Sequence, residues 1–134
     1  MYKIVFFIGL VLSFSCATNR SESEQEDENF SSFLKKYIND TSFQMSHTDF
    51  PLTVESYSSN LSNDDVTKSN IEKKNWKPIF LDISDSCKFS IDTSLHDTVK
   101  VVYSGVDNGV YVTYFFLNRQ NNGWKLIRIF DESN

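Results

Sequence analysis

Glycine and proline are scarce. Four glycines and two prolines in 134 residues exclude a long flexible tract inside the domain. Only two cysteines occur, Cys16 and Cys87, so no disulfide framework is available. A bond between them would tie a tail to a strand across an acidic tract. Basic residues are outnumbered, thirteen Lys and Arg against eighteen Asp and Glu. Removing residues 1–15 takes Lys3 away and leaves a net charge of −6. That sign repels the phosphates of nucleic acid and anionic lipid heads, so no nucleic-acid partner is expected. A Gly-rich phosphate loop, a paired metal-ligand spacing and a nucleophile elbow are all missing. Asn63-Asp64-Asp65 lacks the spaced acids, the glycine and the closing Glu of a calcium loop. No metal and no cofactor are expected.

Aromatics are plentiful, with twelve Phe, six Tyr and two Trp. Three of the Phe lie in the first fifteen residues, Met1 to Ser15 (MYKIVFFIGLVLSFS). This stretch has an early Lys, an apolar run from Ile4 to Leu12, then small residues. It is short for a membrane-spanning helix and fits a secretory signal peptide. Cys16 follows at once. A cysteine so placed resembles the lipobox of bacterial lipoproteins, whose thiol is acylated to become the new N-terminus. Ser13 stands where that motif usually has an aliphatic residue, with Leu12 one position earlier. Residues 1–15 are thus expected to be a lipoprotein signal peptide and Cys16 the lipidation site, which anchors the chain to a membrane. Residues 16–28 are expected to be a disordered acidic tether, because Glu22, Glu24, Glu26, Asp27 and Glu28 come with no apolar partner to bury. An acidic run after the lipid-bearing cysteine also resembles the export signal of surface-exposed Bacteroidetes-type lipoproteins. The expected location is the cell envelope, as an outer membrane lipoprotein on its periplasmic or outer side.

Residues 29–134 form the expected domain. Phe30, Phe33, Leu34, Tyr37 and Ile38 fall on one helical face, with Ser31, Ser32, Lys35 and Lys36 on the other. Asn39-Asp40-Thr41 breaks the helix, with room for one further turn carrying Phe43. Phe50, Leu52 and Val54 then alternate with Pro51, Thr53 and Glu55, which reads as an edge strand because Pro cannot donate to a ladder. The stretch Ser56 to Asn75 is polar, and Ile71 to Trp76 alternates weakly enough to suggest a strand. In the next run Cys87, Phe89 and Ile91 share a face, so Cys87 reads as a small core hydrophobe.

A helix ending in Phe43-Gln44, followed by Phe50-Pro51-Leu52 and closed by a Trp-Lys-Leu-Ile-Arg-Ile run from Trp124 to Ile129, resembles a family of Bacteroidetes-type lipoproteins. That family is known only as a domain of unknown function with an NTF2-like, cystatin-like fold. The resemblance covers residues 29–134. It departs at His47-Thr48, before Asp49, where the family tends to carry a basic residue. It implies an α+β cone, with an N-terminal amphipathic helix packed on a curved antiparallel sheet. The mouth of such a cone is often a ligand pocket. No catalytic residues are established for the family, so none are carried over.

The strongest local signal is a meander. Thr98 to Ser104, Val110 to Leu117 and Trp124 to Phe130 are rich in β-branched and aromatic residues, and Asn-Gly closes both turns between them. Both faces are apolar: Val110, Val112, Tyr114 and Phe116 on one, Tyr111, Phe115 and Leu117 on the other. Trp124, Leu126 and Phe130 are expected opposite Ile127 and Ile129. One helix cannot cover two apolar faces, so the sheet curls on itself, meets a protein partner or second copy, or holds a small ligand. Tyr111, Tyr114, Phe116, Trp124 and Arg128 are the candidate pocket or interface residues. Arg128 interrupts its face, either paired with an acid such as Asp131 or set at a pocket rim. Acid–base chemistry would need His47, His96, Asp49, Tyr103, Tyr111 or Tyr114 to converge in an apolar cavity. His47 lies beside an edge strand and His96 in a turn, so neither suggests a buried dyad. The expected function is therefore a non-enzymatic binding or interaction module, against the alternative of a ligand-binding or enzymatic domain using the cone.

Overall fold

A computed structural model of the protein describes residues 22–57, 65–81, 87–120 and 123–133. Cys16 and the expected leader lie outside these residues. Two helices, α1 (Glu22–Asn39) and α2 (Thr41–Ser46), precede six strands. The strands are β1 (Thr48–Tyr57), β2 (Val66–Ile71), β3 (Cys87–Leu95), β4 (Thr98–Gly105), β5 (Tyr111–Asn118) and β6 (Trp124–Asp131). They form one sheet in the order β2-β1-β6-β5-β4-β3. The β1–β6 pair is parallel and the other pairs are antiparallel, so the sheet is mixed.

α1 begins earlier than the apolar stripe requires. Residues 22–28, expected to be part of a disordered tether, are helical. The break at Asp40 is a cap: its carboxylate accepts the Phe43 N–H at 2.9 Å and starts α2. The α1 stripe then packs onto the sheet. Phe30, Leu34 and Tyr37 are buried with Val99, Val101, Phe116, Trp124, Leu126 and Leu52. Phe116 sits at the centre, in edge-on contact with Phe30, Phe33 and Tyr37 at ring separations of 5.2–5.7 Å.

A buried polar residue locks the connection after β2. Gln44 is 0 % exposed. Its Nε2 donates to the Ile79 carbonyl at 2.6 Å and its Oε1 accepts the Ile79 N–H at 2.9 Å. The amide thus fills both backbone positions of Ile79 as a strand neighbour would. A hydroxyl relay backs it: Thr48 Oγ1 donates to the Gln44 carbonyl at 2.8 Å and receives the Tyr37 hydroxyl at 2.7 Å. Burial pushes the Tyr37 phenol well above its ordinary range, so it stays protonated and able to donate.

Three strand expectations need correction. β1 is interior, between β2 and β6. Pro51 is accommodated because pairing with β6 skips from Thr48 to Thr53 and pairing with β2 starts at Leu52; the Phe50–Pro51 peptide is cis. The weak strand expected over residues 71–76 is displaced: β2 ends at Ile71 and Lys73–Asn75 is a 3-10 turn. Finally, Cys87, Phe89 and Ile91 do share a face, but β3 is an edge strand and Phe89 is 45 % exposed. The half-buried Cys87 sulfur accepts the Tyr103 hydroxyl at 2.9 Å.

The meander strands appear within a residue of their expected bounds. One detail of β6 differs. Phe115 opposes Arg128 while Phe116 opposes Leu126, so Ile127 is an extra residue in a β-bulge. The bulge breaks the alternation. Trp124, Leu126 and Ile129 join the core under α1, while Ile127, Arg128 and Phe130 line the opposite face.

Candidate functional site

Between α1 and the sheet the described side chains pack closely. Among the described residues, Leu34, Tyr37, Ile38, Val101, Tyr114 and Phe116 border a void of about 10 Å³ there, room for a single water at most. Burial, assisted by the charge of Asp131, pushes the Tyr114 phenol up to about 12.

The opposite face carries an open trough of about 810 Å³. Strand register explains its chemistry. One row across the sheet runs Asp92, Lys100, Phe115, Arg128, Thr53 from β3 to β1. The neighbouring row runs Val102, Thr113, Phe130, Glu55. Tyr111, Leu95 and Thr98 complete the wall. The floor is thus apolar at its centre and charged toward β1 and β3.

Glu55 anchors the β1 side. It is 8 % exposed. Lys68 Nζ meets Oε1 at 2.8 Å and Arg128 Nη1 donates to Oε2 at 3.0 Å. The hydrogen bond from Lys68, aided by Arg128, holds this carboxyl below its ordinary range, although burial works the other way. The Arg128 guanidinium lies over the Phe115 ring, Cζ 3.8 Å from the centroid. On the β3 side Lys100 Nζ stands 3.6 Å from Asp92 Oδ2. Asp92 is held below its ordinary range chiefly by its hydrogen bonds to Ser94.

The candidate residues divide between the two faces. Tyr111, 43 % exposed, and Arg128 line the trough. Tyr114, Phe116 and Trp124 face α1 and pack in the core. Arg128 pairs with Glu55 rather than Asp131, because Glu55 and Phe130 are register partners on the trough side. The acid–base candidates do not converge. His47 stacks on Phe43 at 3.7 Å, with Nδ1 at 3.0 Å from the Phe43 carbonyl and 2.9 Å from Ser46 Oγ. Asp49 pairs with Arg119 at 2.7 Å. His96 sits in the exposed β3–β4 turn, 2.7 Å from Asp97. Glu55, Lys100 and Asp92 were not singled out by sequence reasoning. The alternation of Thr53 and Glu55 with Leu52 and Val54 was the available signal. Among the described residues, no three His, Cys, Asp or Glu side chains gather as metal ligands, and no helix is long and apolar enough to cross a membrane.

No family model matches the sequence, and no curated protein matches it. Solved structures do. The chain is similar to an NTF2-like protein from Bacteroides fragilis, with a TM-score of 0.59 at 17 % identity over 78 % of this chain and 47 % of that one. It spans about half the length of that protein. A cystatin-like protein from Bacteroides caccae aligns with a TM-score of 0.52 at 12 % identity, covering 75 % of this chain and 74 % of the other. An NTF2-like protein of unknown function from Shewanella baltica aligns at 0.50 and 14 % identity, covering 86 % and 98 %. Identities this low speak to architecture, and the architecture is consistent across them: the chain has the NTF2-like, cystatin-like fold.

Proposed function

We propose that this chain is a lipid-anchored cell-envelope protein acting as a non-enzymatic binding module, with the trough opposite α1 as its binding site. The observation that carries the reading is the contrast between the two faces. The void bordered by described residues under α1 is about 10 Å³, while the other face offers about 810 Å³, a volume typical of sites for small molecules. The dispersal of His47, Asp49 and His96 supports a site that holds rather than transforms its occupant. The leader, Cys16 and the acidic run support the envelope location.

A thermal-shift screen with small molecules tests the site. Ligands that stabilise the wild type should lose their effect in Thr113→Trp, which places an indole on the trough floor. Unchanged shifts in that variant would move the site elsewhere. Metabolic labelling with a fatty-acid probe tests the anchor. The wild type should be labelled and Cys16→Ser should not; equal labelling would refute lipidation.

A further inference from the structure

We infer that the trough receives a small carboxylate with a flat apolar body, its charge held between Lys100 and Arg128 and its body lying against Val102 and Phe130 of the neighbouring row. This rests on the trough being the binding site. Lys100, Phe115 and Arg128 oppose one another on β4, β5 and β6. Neighbouring strands are about 5 Å apart, so the two cations rise from backbones about 10 Å apart with one phenyl ring between them.

The charge of Glu55 is already matched. Lys68 and Arg128 each bond one of its oxygens, so the three groups together carry one excess positive charge. A guanidinium has five N–H donors. Among the described residues Glu55 is the acceptor bonded to Arg128, through Nη1 alone. Lys100 is similarly underused: Asp92, at 3.6 Å, is beyond good hydrogen-bond distance and gives its other oxygen to the Ser94 N–H at 2.9 Å. The Lys100 and Arg128 side chains are 32 % and 39 % exposed, so both reach solvent. Asp92 repels an anion from the β3 margin and directs it toward the β4–β6 centre. A carboxylate matches the planar fork of Arg128. A bare inorganic anion would leave Val102, Ile127 and Phe130 uncovered.

The test is titration of the full chain, followed by amide NMR shifts, with three probes of one shape: naphthalene-2-carboxylate, naphthalene-2-carboxamide and 2-naphthylmethylammonium. The carboxylate should perturb β4, β5 and β6 amides and bind about tenfold tighter than the carboxamide. Lys100→Met and Arg128→Gln should each narrow that preference to roughly threefold or less. Arg128→Gln also strips a partner from Glu55, so Lys100→Met decides the matter if the first variant unfolds. Equal binding of carboxylate and carboxamide in the trough, or tighter binding of the ammonium, overturns the anion inference and leaves the trough as a site. No trough shifts with any probe overturns both. A concentration-dependent dimer that buries the trough makes its occupant a second copy and overturns the inference.

Discussion

Replacing Gln44 with methionine preserves the length and approximate volume of the side chain and removes both ends of its clamp on Ile79. Gln44 is 0 % exposed, so water cannot substitute for it from its own side. The Ile79 N–H and carbonyl, now bonded at 2.9 and 2.6 Å, lose their partners. An unsatisfied buried polar group costs about 1–3 kcal/mol. Ile79 is only half-buried, so solvent recovers part of that for each group. The expected loss for Gln44→Met is therefore about 2–4 kcal/mol. Urea unfolding measures it as a lower midpoint at unchanged slope. A control separates the hydrogen bonds from the packing. In Gln44→Glu a protonated carboxyl can still donate to the Ile79 carbonyl, whereas a carboxylate faces it with a second acceptor. Its penalty should shrink as pH is lowered. A loss for Gln44→Met under about 0.5 kcal/mol, well below the cost of one orphaned group, would refute the clamp.

Phe116→Ala should cost about 3–5 kcal/mol, read by the same unfolding assay, because Phe30, Phe33 and Tyr37 all rest edge-on against that ring. Glu55 predicts a pH dependence. Its folded-state pKa lies below the ordinary value of 4.5, so its contribution is present above that value and is lost as pH falls through the folded pKa. Glu55→Gln should lower stability near neutral pH and flatten the decline on acidification below about pH 4.5; an acid limb as steep as the wild type's would contradict this.

Much of the fold was legible because the meander advertises itself locally. Its β-branched and aromatic runs and its Asn-Gly turns need no long-range information. The apolar stripe of α1 and the break at Asp40 were legible for the same reason. β2 was not, since Val66-Thr-Lys-Ser-Asn-Ile71 is an exposed edge with apolar residues only at its ends. β1 was misplaced as an edge because Pro51 implies one, and nothing local reveals that the ladder is interrupted just there. The trough was half legible. Tyr111 and Arg128 stood out as an aromatic and a charge within apolar runs. Glu55 did not, because its partner Arg128 lies 73 residues away and the pairing depends on the parallel β1–β6 register. Tyr114, Phe116 and Trp124 were grouped with the site because aromatics occur on both faces, and only the packing of α1 separates them.

The extra residue at Ile127 lets β6 serve two surfaces under two different reading rules. Before it, even-numbered residues face the core; after it, odd-numbered residues do. Deleting Ile127 alone would restore a single rule. It would leave Leu126 and Ile129 under α1 and Arg128 and Phe130 on the trough, whereas keeping Ile127 in a regular register without the bulge would exchange Arg128 and Phe130 with Ile129 and drive a guanidinium under α1. The position of the bulge thus decides which of residues 128–130 meets α1 and which meets the trough.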